Sequence, residues 1–307
     1  MSLSLREPDE GISAVRSWYR RSAGRYSTRL VVGVLVITVP IMALIVVLLS
    51  QNSTKQITEG VQAVLFDRAA TLAGDVDTYL GERRSDLKYV AADISGEEQA
   101  EWDTELRRAL RVDPSVQVLE LVDASGTVVA IAAQPGYEPI EPGAADWFQD
   151  AVAGEETVSL LSEGGEVEIV MAQPVPDGDG QTSAVLVTSL RLTGLAPHLE
   201  SAGFARTGAI SLVDQDRRVI LSSRTADDPD SAGALPVTAD TEVLRAALGG
   251  ETGAASGDYE GVRSFIGYAP VPTAGWAVVV SMDRSEVLVL VNEQRRLGLA
   301  LVLLGTC

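Results

Sequence analysis

A chain of 307 residues with one histidine and one cysteine has little from which to build a reaction centre. His198 follows Pro197 and has no second His or Cys with which to share a metal, and Cys307 alone cannot form an intramolecular disulfide. A nucleophile needs a base beside it, and one imidazole cannot be assigned that role without a partner. Asp177-Gly-Asp-Gly180 carries two acids but lacks the further ligands and closing Glu of a calcium loop, so it reads as a β-turn. Asp75 and Asp77, two apart on a helix, point different ways. Gly164-Gly165 and Gly249-Gly250 have neither the spacing nor the Lys of a phosphate loop. Glu166 and Glu168 would count only if a second carboxylate faced one of them. No catalytic residue, metal or cofactor is therefore expected, and the chain reads as non-enzymatic.

Charge and hydropathy say where such a chain sits. Leu30 to Leu49 is an uncharged run of twenty residues, enough as a helix for about 30 Å, the thickness of a bilayer's hydrocarbon core. Pro40 lies within it, which membrane helices tolerate. The run is too long for a signal peptide and lacks both a small-residue cleavage site and the polar face of a core helix. Residues 1–29 hold six Arg against three acids, whereas residues 50–307 carry a net charge of −22. This asymmetry assigns 1–29 to a cytoplasmic tail, 30–49 to a transmembrane helix, and the remainder to the extracytoplasmic side of the cell membrane. The lipid bilayer is then a partner, and a surface so negative excludes nucleic acid.

Residues 50–112 read as a long stalk helix followed by a second helix. Ile57, Val61, Val64, Leu65, Leu72, Val76, Leu80, Leu87, Val90 and Ile94 recur mostly at steps of three and four, an apolar stripe interrupted near Gly81–Arg84. From Ser53 to Ile94 such a helix would extend about 60 Å, and its stripe is a packing spine or the seam of a homodimer. Ser95-Gly96-Glu97-Glu98 has the form of a capping box opening the second helix, with Trp102, Leu106 and Leu110 inward and Pro114 after it.

Beyond that point the sequence repeats. Leu121-Val122-Asp123 returns as Leu212-Val213-Asp214 after 91 residues, Gly154-Glu155 as Gly250-Glu251 and Pro174-Val175-Pro176 as Pro270-Val271-Pro272 after 96. Each copy reads as a hairpin, a short helix and two more strands. The copies occupy 113–203, ending in a linker from Leu195 to Gly203, and 204–290, which includes an Asp/Pro-rich loop from Asp227 to Pro236. Residues 297–307 read as the start of a truncated second transmembrane helix, or as a terminal helix packed on the domain.

In the second copy, Gly261 to Ser281 contains Tyr268-Ala-Pro-Val-Pro272 followed by Gly275-Trp276. This stretch resembles the closing strand pair of a Cache domain, and with the long helix and duplicated module the chain resembles a double Cache (dCache) extracytoplasmic sensor. The resemblance covers about residues 50–290. It implies an α+β fold: an N-terminal transmembrane helix, a long α-helix, and two tandem PAS-like antiparallel-sheet modules, 113–203 membrane-distal and 204–290 membrane-proximal. Gly275 frees the backbone for a reversal that pairs Trp276–Met282 with Ser264–Ala269, Pro270 and Pro272 belong at the strand end, and Trp276 fills the core.

The resemblance also implies a ligand site in the distal module. Trp147 and Phe148 match the family's aromatic pair, with Asp150 two residues on. The Arg that would clamp a substrate carboxylate is Ala145 here, the Tyr before it is Ile140, and the Asp of the last distal strand aligns with Ser189. Without that Arg a buried carboxylate lacks its partner, which disfavours an ordinary amino acid. Trp147, Phe148, Asp150, Met171, Gln173, Ser189 and nearby Tyr137 suit a neutral or cationic small molecule, with Asp150 and the aromatics caging an amine. The alternative leaves the aromatics as core and Asp150 in solvent. The expected function is the ligand-sensing input region of a bacterial membrane receptor of chemoreceptor, sensor kinase or cyclase type. The rival reading is a docking module for a periplasmic binding protein or other protein partner.

Overall fold

The computed structural model describes residues 10–95, 101–137, 139–163, 166–195, 207–223, 237–239 and 241–287. The chain divides into two compact units, residues 1–59 with 287–307, and residues 60–286. In the first unit the backbone of α1 (Glu10–Ser95) begins and most side chains before Lys55 lie outside the description. Among the described residues no helix is long and apolar enough to cross a membrane. The Leu30–Leu49 anchor therefore stands as a sequence expectation, and Leu297–Cys307 lies outside the described residues.

In the second unit α1 continues without a break. The interruption expected at Gly81–Arg84 is absent: Gly81 is an ordinary helical residue, and main-chain propagation outweighs one glycine's cost of about 1 kcal/mol. Leu65, Ala69, Leu72, Val76, Leu80, Leu87, Ala91 and Ile94 form the buried stripe, whereas Val64 turns outward at 58% exposure. Ser95 ends α1, its hydroxyl donating to Ala92 O, rather than capping the next helix. α2 (Trp102–Leu110) starts after Glu101 with no side-chain cap, and it is supported by Asp103 and Glu105 in its first turn and Arg107 and Arg108 in its last.

Two five-stranded antiparallel sheets follow. The first comprises β1 (Val116–Asp123), β2 (Val128–Ala133), β3 (Thr157–Glu163), β4 (Glu166–Pro176) and β5 (Thr182–Arg191) in the order β2-β1-β5-β4-β3. The second comprises β6 (Ala209–Val213), β7 (Val219–Ser222), β8 (Gly253–Tyr259), β9 (Val262–Val271) and β10 (Trp276–Asp283) in the order β7-β6-β10-β9-β8. Short helices α3 (Asp146–Val152) and α4 (Glu242–Leu248) occupy the same place in each copy. Each copy therefore has three strands after its helix, not two; the missed ones are the edge strands β3, whose alternation stops after Leu160, and β8, made mostly of small and polar residues.

The duplication holds to single residues. A register shift falls between Leu121 and Val122 in the first hairpin and between Leu212 and Val213 in the second. Asp123 Oδ1 accepts from Thr127 N as Asp214 Oδ1 accepts from Arg218 N, closing the same turn. Trp276–Asp283 pair with Val271–Ser264, and Trp276 is buried. Pro270 nonetheless lies inside β9, opposite Ala277, and Pro174 inside β4, opposite Val185. Both prolines come two residues after the neighbouring edge strand has stopped, at Tyr268 and Ala172, so each sits where its strand has a partner on one side only.

Register also sorts the first sheet's faces. One carries Leu119, Leu121, Leu186, Thr188, Leu190, Ile169, Met171 and Gln173. Leu119, Thr188 and Leu190 of this face line a cavity with Leu87 and Val90 of α1, so it is the α1 side. The other face carries Val118, Glu120, Val122, Val170, Ala172, Val185, Val187 and Ser189, and α3 with the 134–145 segment lies over it. The Asp177–Gly180 turn is a β-turn, Asp177 Oδ1 accepting from Asp179 N and Gln181 N. His198 and the Asp227–Pro236 loop lie outside the described residues.

Candidate functional site

The α3 side of the first sheet is an apolar cluster with four polar side chains inside it. Val118, Val122, Ile140, Phe148, Ala151, Val170, Ala172, Val185 and Val187 are buried together, with Trp147, Tyr137 and Ile131 packed around them. Into this cluster β1 projects Glu120, β4 Glu168 and β5 Ser189, while Tyr137 enters from the covering segment. Tyr137 donates its hydroxyl proton to Glu168 Oε2 at 2.6 Å. Its oxygen is 2.7 Å from Ser189 Oγ, which must then be the donor of that second bond. Burial, then the bond to Glu168, pushes the Tyr137 hydroxyl pKa well up, so this proton stays in place.

Glu120 is the outlier. It is 0% exposed; Oε1 accepts from Ile140 N at 2.8 Å, but Oε2 is buried without a hydrogen-bond partner. Burial raises its pKa to about 7, the bond from Ile140 N pulling the other way. A buried carboxylate oxygen left unpaired costs on the order of 1–3 kcal/mol, so a fold that retains one has another reason for it.

The seven residues singled out from sequence divide. Tyr137 and Ser189 are bonded to each other, and Trp147 packs edge-on to Phe148 with ring centroids 5.9 Å apart. Phe148 is buried at 1% exposure among the valines, as core. Asp150 is exposed, on the outer side of α3. Met171 and Gln173 are buried on the opposite, α1-facing side of the sheet, because they alternate with Val170 and Ala172 along β4. The structure thus brings Tyr137, Trp147, Phe148 and Ser189 to one face and leaves Met171, Gln173 and Asp150 away from it.

Sequence reasoning did not single out Glu120, because Gln117 and Glu120, three apart, fall on opposite faces of the strand and its own pattern does not say what covers either face. The repeat held the signal that could have found it. Advancing by the repeat offsets, Glu120 corresponds to Ser211 and Glu168 to Ser264, and strand register matches Ser189 with Ser281, all three serines buried. Serine takes the place of both acids in the second module, so the two acids belong to the first module alone. In the second module the same face is an apolar cluster of Val213, Val219, Leu244, Ala247, Tyr259, Ile266, Ala277 and Val279. Among the described residues no group of three or more His, Cys, Asp or Glu could hold a metal ion.

Two matched antiparallel sheets along one helix, only the first with a carboxylate buried in its α3 face, define a tandem two-module domain. The Cache-domain family model dCache_1 matches residues 49–291, and the chain belongs to that family. Its fold is similar to that of the periplasmic sensory domain of the Campylobacter jejuni chemoreceptor Tlp1, with 15% identity, 76% of this chain and 98% of that one covered, and a TM-score of 0.61. The ligand-binding domain of the Pseudomonas aeruginosa amino acid chemoreceptor PctC, in complex with GABA, shares 21% identity over 72% and 99% of the two chains at a TM-score of 0.56. The ligand-binding domain of the Campylobacter jejuni chemoreceptor Tlp3, in complex with L-valine, shares 12% identity over 76% and 96% of the two chains at a TM-score of 0.58. At these identities the likeness is one of fold. No curated protein matches the chain.

Proposed function

We propose that the chain is the ligand-sensing input region of a bacterial membrane receptor. Leu30–Leu49 anchors it with the N-terminus in the cytoplasm, and a small molecule binds in the first, membrane-distal module, between the sheet and α3. The observation that carries this reading is the asymmetry between the two copies: buried Glu120 and Ser189 with half-buried Tyr137 and Glu168 form a polar set that includes two acids, where the second copy is built from serines and apolar residues. Val34, Ile37 and Ile41, exposed apolar residues within the anchor stretch, support a lipid-facing helix. Ligand binding biases α1, whose packing has two arrangements differing by a few kcal/mol, and a homodimer along α1 relays the shift across the bilayer.

The test is thermal denaturation of the full chain in detergent micelles against a metabolite library. A dose-dependent rise in Tm with at least one compound, lost on Glu120→Gln or Tyr137→Phe, supports direct sensing; a folded protein that responds to nothing overturns it. A second reading, docking of a protein partner, is favoured by Tyr89 and Val112, 74% and 80% exposed beside an apolar cavity of about 250 Å³ between α1, α2 and the α1-facing side of the first sheet. Loss of partner capture on Tyr89→Asp, with no small-molecule response, is the result that reading requires.

A further inference from the structure

Two carboxyl groups among the described residues are nearly inaccessible, and they are not alike. Asp214 closes the β6–β7 turn: its Oδ1 accepts from Arg218 N and its Oδ2 lies 3.3 Å from the Arg218 guanidinium. Glu120 has no cation beside it. No Lys or Arg is buried among the described residues, and the cluster around Glu120 contains none. Among the described residues, the other charged groups on this face of the sheet are Glu168 on β4, held by Tyr137, and the outward-lying Arg191, cross-strand from Glu168 at the exposed end of β5 and four residues along from the Glu120–Val187 pair. On α3, Asp146 and Asp150 are exposed. Among the described residues of this face, the buried polar atom without a partner is an acceptor, Glu120 Oε2.

We infer that the ligand of the first module is an amine without a carboxylate, its ammonium seated on Glu120 Oε2 beneath the 134–145 segment. This rests on the reading of the first module as a small-molecule site. An ammonium supplies the donor that the carboxylate lacks and offsets the charge that burial penalises. A carboxylate on the same ligand would meet Glu120 and Glu168 with no guanidinium to hold it, since position 145 is alanine. Serine at 211 and 264 removes both acids from the second module, so the selectivity belongs to the first module only. The apolar walls of Val118, Val187 and Ile140 give the carbon skeleton its contact. The Tyr137 hydroxyl, already committed to Glu168 as donor and to Ser189 as acceptor, marks the polar end of the site.

The experiment is isothermal titration and thermal shift on the full chain in detergent with two matched pairs, putrescine against γ-aminobutyrate and agmatine against L-arginine, alongside ethanolamine and a general metabolite panel. The expected result is that an amine binds at least tenfold tighter than its carboxylate-bearing counterpart. Glu120→Gln, which keeps the acceptor for Ile140 N, should weaken that amine at least tenfold, while Ser211→Ala leaves it unchanged. Equal or tighter binding of the carboxylate-bearing counterpart, or undiminished amine binding by Glu120→Gln, overturns the inference. A response confined to some other metabolite also overturns it but leaves the sensor reading standing. A folded protein that responds to no compound overturns both.

Discussion

Glu120 carries a penalty that pH can switch. Its folded-state pKa lies near 7, above the ordinary carboxylate value, so the folded chain binds its proton more tightly than the unfolded chain does. Its contribution is therefore fully favourable below about pH 4.5 and is lost as pH rises through about 7. Glu120→Gln is accordingly expected to stabilise the unliganded protein at pH 8 by about 1–3 kcal/mol, the gain fading towards pH 4.5, as read from denaturation midpoints across that range. A mutant less stable than the parent at pH 8 would mean that the carboxylate has a partner in the folded chain. The hairpin turns give a second residue-scale prediction. Gly126 has φ +87°, and its counterpart Arg217 has φ +64°, a left-handed conformation that costs a residue with a Cβ about 1 kcal/mol. Arg217→Gly should gain about 0.5–1 kcal/mol and Gly126→Arg should lose a similar amount, both measurable by urea denaturation. Equal and opposite shifts would show that the two turns are interchangeable.

At the scale of elements, the duplicated modules meet α1 differently. A Cβ on Gly267 would overlap the carbonyl of Leu65, so β9 lies directly against the α1 backbone. The same position in the first module is Met171, 1% exposed, a flexible side chain filling a wider gap. Gly267→Ala should therefore cost at least about 2–3 kcal/mol, because the overlap is with backbone that cannot step aside. Met171→Ala should cost a comparable amount for the opposite reason, a cavity. Urea titrations separate these cases: Met171→Leu should restore most of the stability at 171, whereas no larger residue is tolerated at 267. This contrast also explains what was legible. The repeat could be read because turn acids and prolines sit at fixed offsets, and those residues are demanded by local backbone geometry. The strands β3 and β8 could not be read, since Gly253–Tyr259 has neither alternation nor β-branched residues and is a strand only because β9 pairs with it. Met171 and Glu120 lie on opposite faces of the first sheet, which the sequence does not sort. Which face of a doubly covered strand meets a helix, and which a ligand, depends on packing that the strand's own pattern does not encode.

For the whole molecule, both modules hold α1 within a short span. Asp77 Oδ1 accepts from Thr273 N at 2.8 Å on the second module, Arg83 pairs with Asp113 at 2.8 Å, and Lys88 pairs with Glu156 at 2.7 Å on the first. The Lys88–Glu156 pair, with its lysine largely exposed, is worth little to stability, and what it does is tie the first module to α1. That arrangement has a signalling purpose only if the two ends of the helix lie on opposite sides of a bilayer, and the charge asymmetry of the sequence makes this testable. With Cys307 replaced by Ser, a cysteine at the exposed Asp150 position should react with a membrane-impermeant maleimide in intact cells. A cysteine at Ser17, within the arginine-rich tail, should react only after the cells are lysed. Reaction of both positions before lysis would remove the anchor, and protection of Asp150→Cys alone would invert the topology. In the inverted case the buried Glu120 of the first module would have to answer to a ligand from the cell's own interior.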